Sequence, residues 1–269
     1  MNNDRIQEIL DLMEEARLDY FLISDPQSIA YCTGYYNDPH ERMFVFMVSK
    51  HGNHTLFMND LFYLEHDLDV NIVWHKDGQD AIQTIVNEMH FPGRIGIDKN
   101  WASHFLLDLM KKLPNAKYIN ASPCVDLVRM KKDLQEQVLM IESSKINDAV
   151  MEEIIPFIQE GVSEKQLAKK LDELFFNHHS TCYGAIVAFG KNAADPHHEN
   201  DDTLLRKGNC VLIDMGCVYK GYCSDMTRTF FYGGIREDEM KVYEIVKKAN
   251  EAAEAMIKPG VKLSDIDKC

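Results

Sequence analysis

Asp214 and Asp225 are the residues whose type and spacing point most directly to chemistry. Asp214 follows Val211-Leu212-Ile213 in what reads as a buried strand, where a carboxylate needs a partner or a metal ion. Asp225 opens a return strand that continues into Thr227-Arg228-Thr229-Phe230. A hairpin turning about Tyr219-Lys220, with Lys220-Gly221 in or beside the loop, makes the two aspartates cross-strand partners. Their Cβ atoms would then lie about 5 Å apart on one face. Two carboxylates so placed repel, severely in a dry interior. A metal ion, an arginine or a shared proton has to lie between them. Register decides the matter, since a one-residue slip sends the carboxylates to opposite faces. The alternative is that Asp214 accepts backbone hydrogen bonds and Asp225 is a solvated turn residue.

The second candidate is Ala188-Phe189-Gly190-Lys191-Asn192-Ala193-Ala194-Asp195-Pro196-His197-His198, a strand running into a loop with adjacent histidines. Histidine exchanges protons near neutral pH and ligates metals, and loops concentrate function. Adjacent loop histidines can equally be plain solvated residues. His197 is the candidate taken forward, and His198 is left as its neighbour.

The elements that must position these residues fall into two groups. A first helix runs from Asp4 to about Leu18, with Ile6, Ile9, Leu10 and Met13 on one face. Strand Tyr20-Phe21-Leu22-Ile23 follows, ended by Asp25-Pro26. Met43–Ser49 and His54–Met58 read as a hairpin and Asn71–His75 as a further strand. Gly78–Met89 is helical, stopped by Phe91-Pro92-Gly93. Arg94–Asp98, Ala102–Leu113 and Ala116–Asn120 read as strand, helix and strand. Strands alternating with helices of about a dozen residues indicate an α/β domain over residues 1–125. Residues 126–132 read as a linker. A second domain, 133–269, opens with a long charged helix over Asp133–Glu160, which Pro156 should kink and Gly161 should cap. Ser163-Glu164-Lys165-Gln166 is a capping-box pattern opening a second helix. Strands follow at Ala185–Phe189, Cys210–Gly216 and Thr227–Tyr232, then a helix from Glu237 to about Ile257. Ser264 should cap one last short helix.

Composition narrows the class. With 29 basic and 43 acidic residues the formal charge is −14, which argues against nucleic acid as a partner and leaves carboxylates for cations. No run of about 18 apolar residues suggests a membrane span, and the N-terminus does not read as a signal peptide. Seven scattered cysteines without a CxxC pair read as reduced thiols of a cytoplasmic protein.

Taken together, Ile186-Val187-Ala188-Phe189-Gly190 leading to Pro196-His197, then Asp214-Met215-Gly216, then Gly221-Tyr222-Cys223-Ser224-Asp225-Met226-Thr227-Arg228-Thr229-Phe230, resemble the pita-bread metallopeptidases. More narrowly they resemble the Xaa-Pro dipeptidases (prolidases) and Xaa-Pro aminopeptidases. Leu127-Val128-Arg129-Met130-Lys131-Lys132 resembles the segment joining that family's two domains, and residues 1–125 resemble its creatinase-type N-terminal domain. The resemblance implies an α/β creatinase-type domain followed by an α+β pita-bread catalytic domain. It implies a metal-dependent exopeptidase that cleaves Xaa-Pro bonds through a hydroxide activated by two metal ions. Asp214 would bind one metal and Asp225 would bridge both. His197 would stand beside the substrate to move a proton or steady the carbonyl. Thr227 would orient a ligand carboxylate. The ions would be Mn²⁺ first, with Co²⁺ or Zn²⁺ as alternatives, and carboxylate ligands agree with Mn²⁺. The substrate would be a proline-containing di- or oligopeptide and the assembly a homodimer.

The departure from the family pattern is in the remaining ligands. The family completes its metal site with a histidine from a glycine-and-histidine-rich motif and two later glutamates, and no such motif occurs here. Two carboxylates cannot fill the coordination spheres of two hard ions. The expectation is therefore an incomplete catalytic domain, inactive as a 269-residue chain. Other readings are a non-catalytic binding protein on the same scaffold and a sibling hydrolase. The intact aspartate pair counts against both.

Overall fold

β1 (Tyr20–Ile23), buried at all four positions, forms the centre of the first of two compact units. The computed structural model describes residues 1–90 and 92–269, and the chain divides into units Met1–Lys132 and Asp133–Cys269. In chain order the first unit runs α1 (Asn3–Glu15), β1, α2 (Pro26–Thr33), β2 (Val45–Ser49), β3 (Thr55–Asn59), β4 (Asn71–His75), α3 (Ala81–Glu88), β5 (Arg94–Ile97), α4 (Ser103–Lys112), β6 (Lys117–Asn120) and α5 (Ser122–Met130). The sheet order is β4-β3-β2-β1-β5-β6. β1 pairs antiparallel with β2 and parallel with β5.

Side-chain alternation along β1 explains the two layers. Phe21 and Ile23 join a core with Ile6, Ile9 and Met13 of α1 and Val125 and Val128 of α5. Tyr20 and Leu22 join the opposite core with Ile82 and Ile85 of α3 and Leu109 of α4. Period-two strands covered by helices on both faces read as continuous apolar runs. Gly96 of β5 is required by packing, because a Cβ there would stand 2.4 Å from the Ala121 Cβ.

Two helices depart from the sequence reading. Asp25-Pro26 ends β1 but also starts α2: the Asp25 carboxylate accepts the Ser28 N–H at 2.9 Å and proline occupies the first turn. Residues 126–130, expected to be linker, are the later turns of α5, which packs its Val128 into the first unit's core. Pro123 in the first turn of that helix was the overlooked signal. Phe91, part of the expected stop after α3, lies outside the described residues. The helix itself ends at Glu88.

The second unit runs α6 (Leu134–Ile154), a 3₁₀ turn at Ile155–Phe157, α7 (Glu164–Asn177), β7 (Thr181–Cys182), β8 (Ile186–Phe189), a 3₁₀ turn at Gly190–Ala194, β9 (Asn209–Met215), β10 (Cys217–Tyr219), β11 (Tyr222–Cys223), β12 (Met226–Tyr232), α8 (Glu237–Met256) and α9 (Leu263–Ile266). Capping boxes start α6 at Asp133 and α7 at Ser163. Pro156 converts the end of α6 to a 3₁₀ turn and does not kink it. Lys262, and not Ser264, is the N-cap of α9. The core joins Val150 and Ile154 of α6, Leu167, Leu171 and Phe175 of α7, and Val211, Ile213 and Met215 of β9. One antiparallel sheet has the order β12-β9-β8, and a second has β11-β10-β7.

Candidate metal centre and active site

β9 displays its two faces unequally. Val211, Ile213 and Met215 face the core, while Leu212 and Asp214 on the other face are half-buried. Asp214 is therefore not in the dry interior that its three apolar predecessors suggested. It sits on the outer side of a two-sided strand.

The hairpin register also differs from expectation. Tyr219 pairs with Tyr222, so the two-residue loop is Lys220-Gly221, with φ of +48° and +85°. Left-handed backbone at both positions is the geometry of a tight hairpin turn matched to strand twist, and glycine at the second lowers its cost. With that loop, Asp214 lies opposite Thr227. The same register carried on places Asp225 level with Gly216, two residues away. The direct Asp214–Asp225 pairing is thus corrected to a diagonal one. A two-residue shift preserves the face, so Asp214, Thr227 and Asp225 share one side.

Thr227 Oγ1 donates to Asp214 Oδ1 at 2.6 Å. Asp225 is exposed, and among the described residues its carboxylate has no hydrogen-bond or salt-bridge partner. No Lys or Arg pairs with either aspartate among the described residues, which removes the arginine alternative. The strand path is pinned at Gly216, where a Cβ would stand 2.2 Å from the Ser224 carbonyl oxygen and 2.5 Å from Tyr183 Oη. Tyr183 Oη donates to that same carbonyl at 2.8 Å. Burial first, and then the Asp225 carboxylate, push the Tyr183 phenol up. Tyr183, which sequence reasoning missed, thus feels the charge of the pair. Two uncompensated carboxylates sharing a face with a hydroxyl that orients one of them suit a divalent cation in charge and donor type. Among the described residues no third His, Cys, Asp or Glu joins them in a cluster.

His197 lies elsewhere in the same unit and makes no hydrogen bond to the aspartates among the described residues. It is exposed in the turn Asp195-Pro196-His197-His198, closed by the His198 N–H donating to the Asp195 carbonyl at 3.3 Å. Its own N–H donates to Asp195 Oδ1 at 3.0 Å. His198 is turned inward, its side chain only 12% exposed, with Nε2 2.7 Å from Glu164 Oε2. That hydrogen bond holds the His198 imidazole above its ordinary range.

Glu164, His198 and Asp201 bring ligand-type atoms within 4.8 Å of one another. Both oxygens of Glu164 are already engaged. Oε1 accepts the Phe189 N–H at 2.8 Å and Asn192 Nδ2 at 2.9 Å, and Oε2 accepts the Asp201 N–H at 3.1 Å as well as His198. A carboxylate saturated by N–H groups is a structural hub and offers a cation little. Sequence inspection placed Glu164 only in a capping pattern. Its burial is set by the tertiary path of the loop.

Residues 138–269 match metallopeptidase family M24, and residues 5–131 match the creatinase/prolidase N-terminal domain. A dipeptidase from Pyrococcus horikoshii OT3 is 32% identical and superposes with a TM-score of 0.88, over 98% of this chain and 75% of its own. The chain belongs to metallopeptidase family M24. Two further relatives extend the comparison. A prolidase from Thermococcus sibiricus is 27% identical with a TM-score of 0.92, over 99% of this chain and 75% of its own. An uncharacterized peptidase of Staphylococcus aureus is 28% identical over 272 residues, 98% of this chain and 76% of its own length. The M24 chain therefore has the creatinase-type domain and the pita-bread domain that its motifs implied, and it is a member of a peptidase family that works with divalent metals.

Proposed function

We propose that this M24 protein is a metal-dependent exopeptidase cleaving Xaa-Pro peptides, of the dipeptidase or aminopeptidase P type. The observation that carries the reading is the uncompensated pair Asp214 and Asp225 on one face of the β9–β12 hairpin, with Thr227 donating to Asp214. The prolidase among its structural neighbours supports the substrate class. Two divalent ions, Mn²⁺ foremost, would supply Lewis acidity and lower the pKa of the attacking water. The chain's own residues have three tasks. Asp214 and Asp225 would hold the cations. Thr227 fixes which Asp214 oxygen is free, because its hydroxyl occupies the other. His197, exposed on its turn, steadies the scissile carbonyl or passes a proton to the departing amine. Cytoplasmic location and a homodimeric state belong to the same proposal.

The test is hydrolysis of an Xaa-Pro dipeptide and an Xaa-Pro-Xaa tripeptide by the purified protein. Turnover should require added Mn²⁺ and stop with a chelator. An active enzyme indifferent to the chelator overturns the metal reading. Preference for a peptide lacking proline overturns the substrate reading.

A further inference from the structure

We propose that Glu164 and His198 are positioning residues for His197: together they form a clasp that fixes the loop from which His197 projects. The inference rests on the role given to His197 above. Glu164 is fully buried at the first turn of α7, where the helix dipole favours a negative charge. It holds both ends of one segment. The Phe189 N–H marks where the chain leaves β8, and the Asp201 N–H marks where it returns. Asn192 and His198 tie points between. A buried carboxylate with four donors is costly to disturb, so the loop ends are fixed relative to α7.

The clasp also sets direction. His197 and His198 are consecutive, and anchoring His198 inward leaves His197 as the outward member of the pair. A second pin gives the loop its location. β8 is the edge strand of its sheet, and Asn200 covers that edge: its Oδ1 accepts the Val187 N–H and its Nδ2 donates to the Ala185 carbonyl, both at 2.7 Å. These bonds flank Ile186, the residue paired with Asp214 on the next strand. The loop is thereby returned to the end of β8 that pairs with Asp214 of β9, about two strand spacings, or ~10 Å, from that aspartate. Without the Glu164 carboxylate and His198, the turn bearing His197 would keep its local Asp195 contacts and the Asn200 pin, with the start of α7 still bonded to the Asp201 and Thr203 carbonyls further along.

The test combines amide hydrogen exchange with steady-state kinetics on the purified protein. His198→Ala should speed exchange across residues 195–203 by about tenfold, the size of one lost charge-assisted hydrogen bond. It should lower kcat on an Xaa-Pro dipeptide while KM stays within about twofold. His198→Gln, which restores a donor, should recover much of both. In a His197→Ala background, His198→Ala should cost no further kcat, because a positioning residue has nothing left to position. Unchanged exchange in His198→Ala overturns the clasp, as does an equal kcat loss in both backgrounds. Glu164→Gln is the harsher variant, and if it fails to fold the two His198 variants carry the test. If His197→Ala alone leaves kcat intact, the role of His197 in the proposed reaction fails, and exchange still decides whether the clasp exists.

Discussion

Asp225 and Thr227 do different work, and substitution should separate them. Asp225→Asn keeps size but removes the charge that would bridge two cations. It should cut kcat by at least about 100-fold, beyond the losses common for residues that only support a ligand. Thr227→Val removes the hydroxyl that donates to Asp214 at 2.6 Å and keeps the shape. Its effect should be about 10–100-fold in Mn²⁺ affinity, seen by titration, with the remaining activity restored at high Mn²⁺. If saturating Mn²⁺ rescues Asp225→Asn as well, the bridging role assigned to Asp225 is wrong. The two aspartates stood out in the sequence because their spacing is local to one hairpin, and Thr227 entered only through the family resemblance. Glu164 and Tyr183 were not. Glu164 reads as an ordinary acid at a helix start, and only the return of a loop 25 to 37 residues later buries it. Tyr183 becomes relevant because β7 pairs with β10, a contact that no local pattern announces.

At the scale of elements, two glycines make a matched pair of tests. Gly216 lies where the chain passes from one small sheet to the other, and a Cβ would strike the backbone oxygen of Ser224. Gly96 lies in the other unit, against Ala121. Either alanine substitution should destabilise by about 1–3 kcal/mol through overpacking, measured by denaturant unfolding. Only Gly216→Ala should also weaken Mn²⁺ binding, because it moves Ser224 and, with it, Asp225. Equal Mn²⁺ affinity in the two variants would mean that the Gly216 crossing does not set the carboxylate geometry. Most elements were readable from pattern alone, since apolar periodicity and capping residues mark α1, α7 and the strands. The misreadings had a common physical source. Asp25-Pro26 does end β1, but its second role as the start of α2 was missed, Pro156 was taken as a kink, and Pro123 was passed over. At a first helical turn proline costs no hydrogen bond and its fixed φ is already helical. The hairpin register was misjudged by two residues because loop position depends on which residues accept left-handed backbone, and Lys220 does so here.

Across the whole molecule, charge complicates any metal measurement. With 43 acidic residues and a net charge of −14, the surface attracts divalent ions weakly and everywhere. Among the described residues no helix is long and apolar enough to cross a membrane. Bulk Mn²⁺ uptake is therefore a poor measure of the site. The tight turn at Lys220-Gly221 offers a better one. It makes the chain double back on itself, with Asp225 and Asp214 near the foot of the two arms and Lys220 at the tip. At about 3.4 Å per residue the tip stands up to ~17 Å from Asp225. A paramagnetic ion held between the aspartates should broaden amide resonances most near both feet and least at the tip, a V-shaped profile centred on residues 220 and 221. Ions scattered over the acidic surface would give no such gradient. The arm that carries the carboxylates thus doubles as a ruler, graduated one amide at a time, for locating the ion they hold.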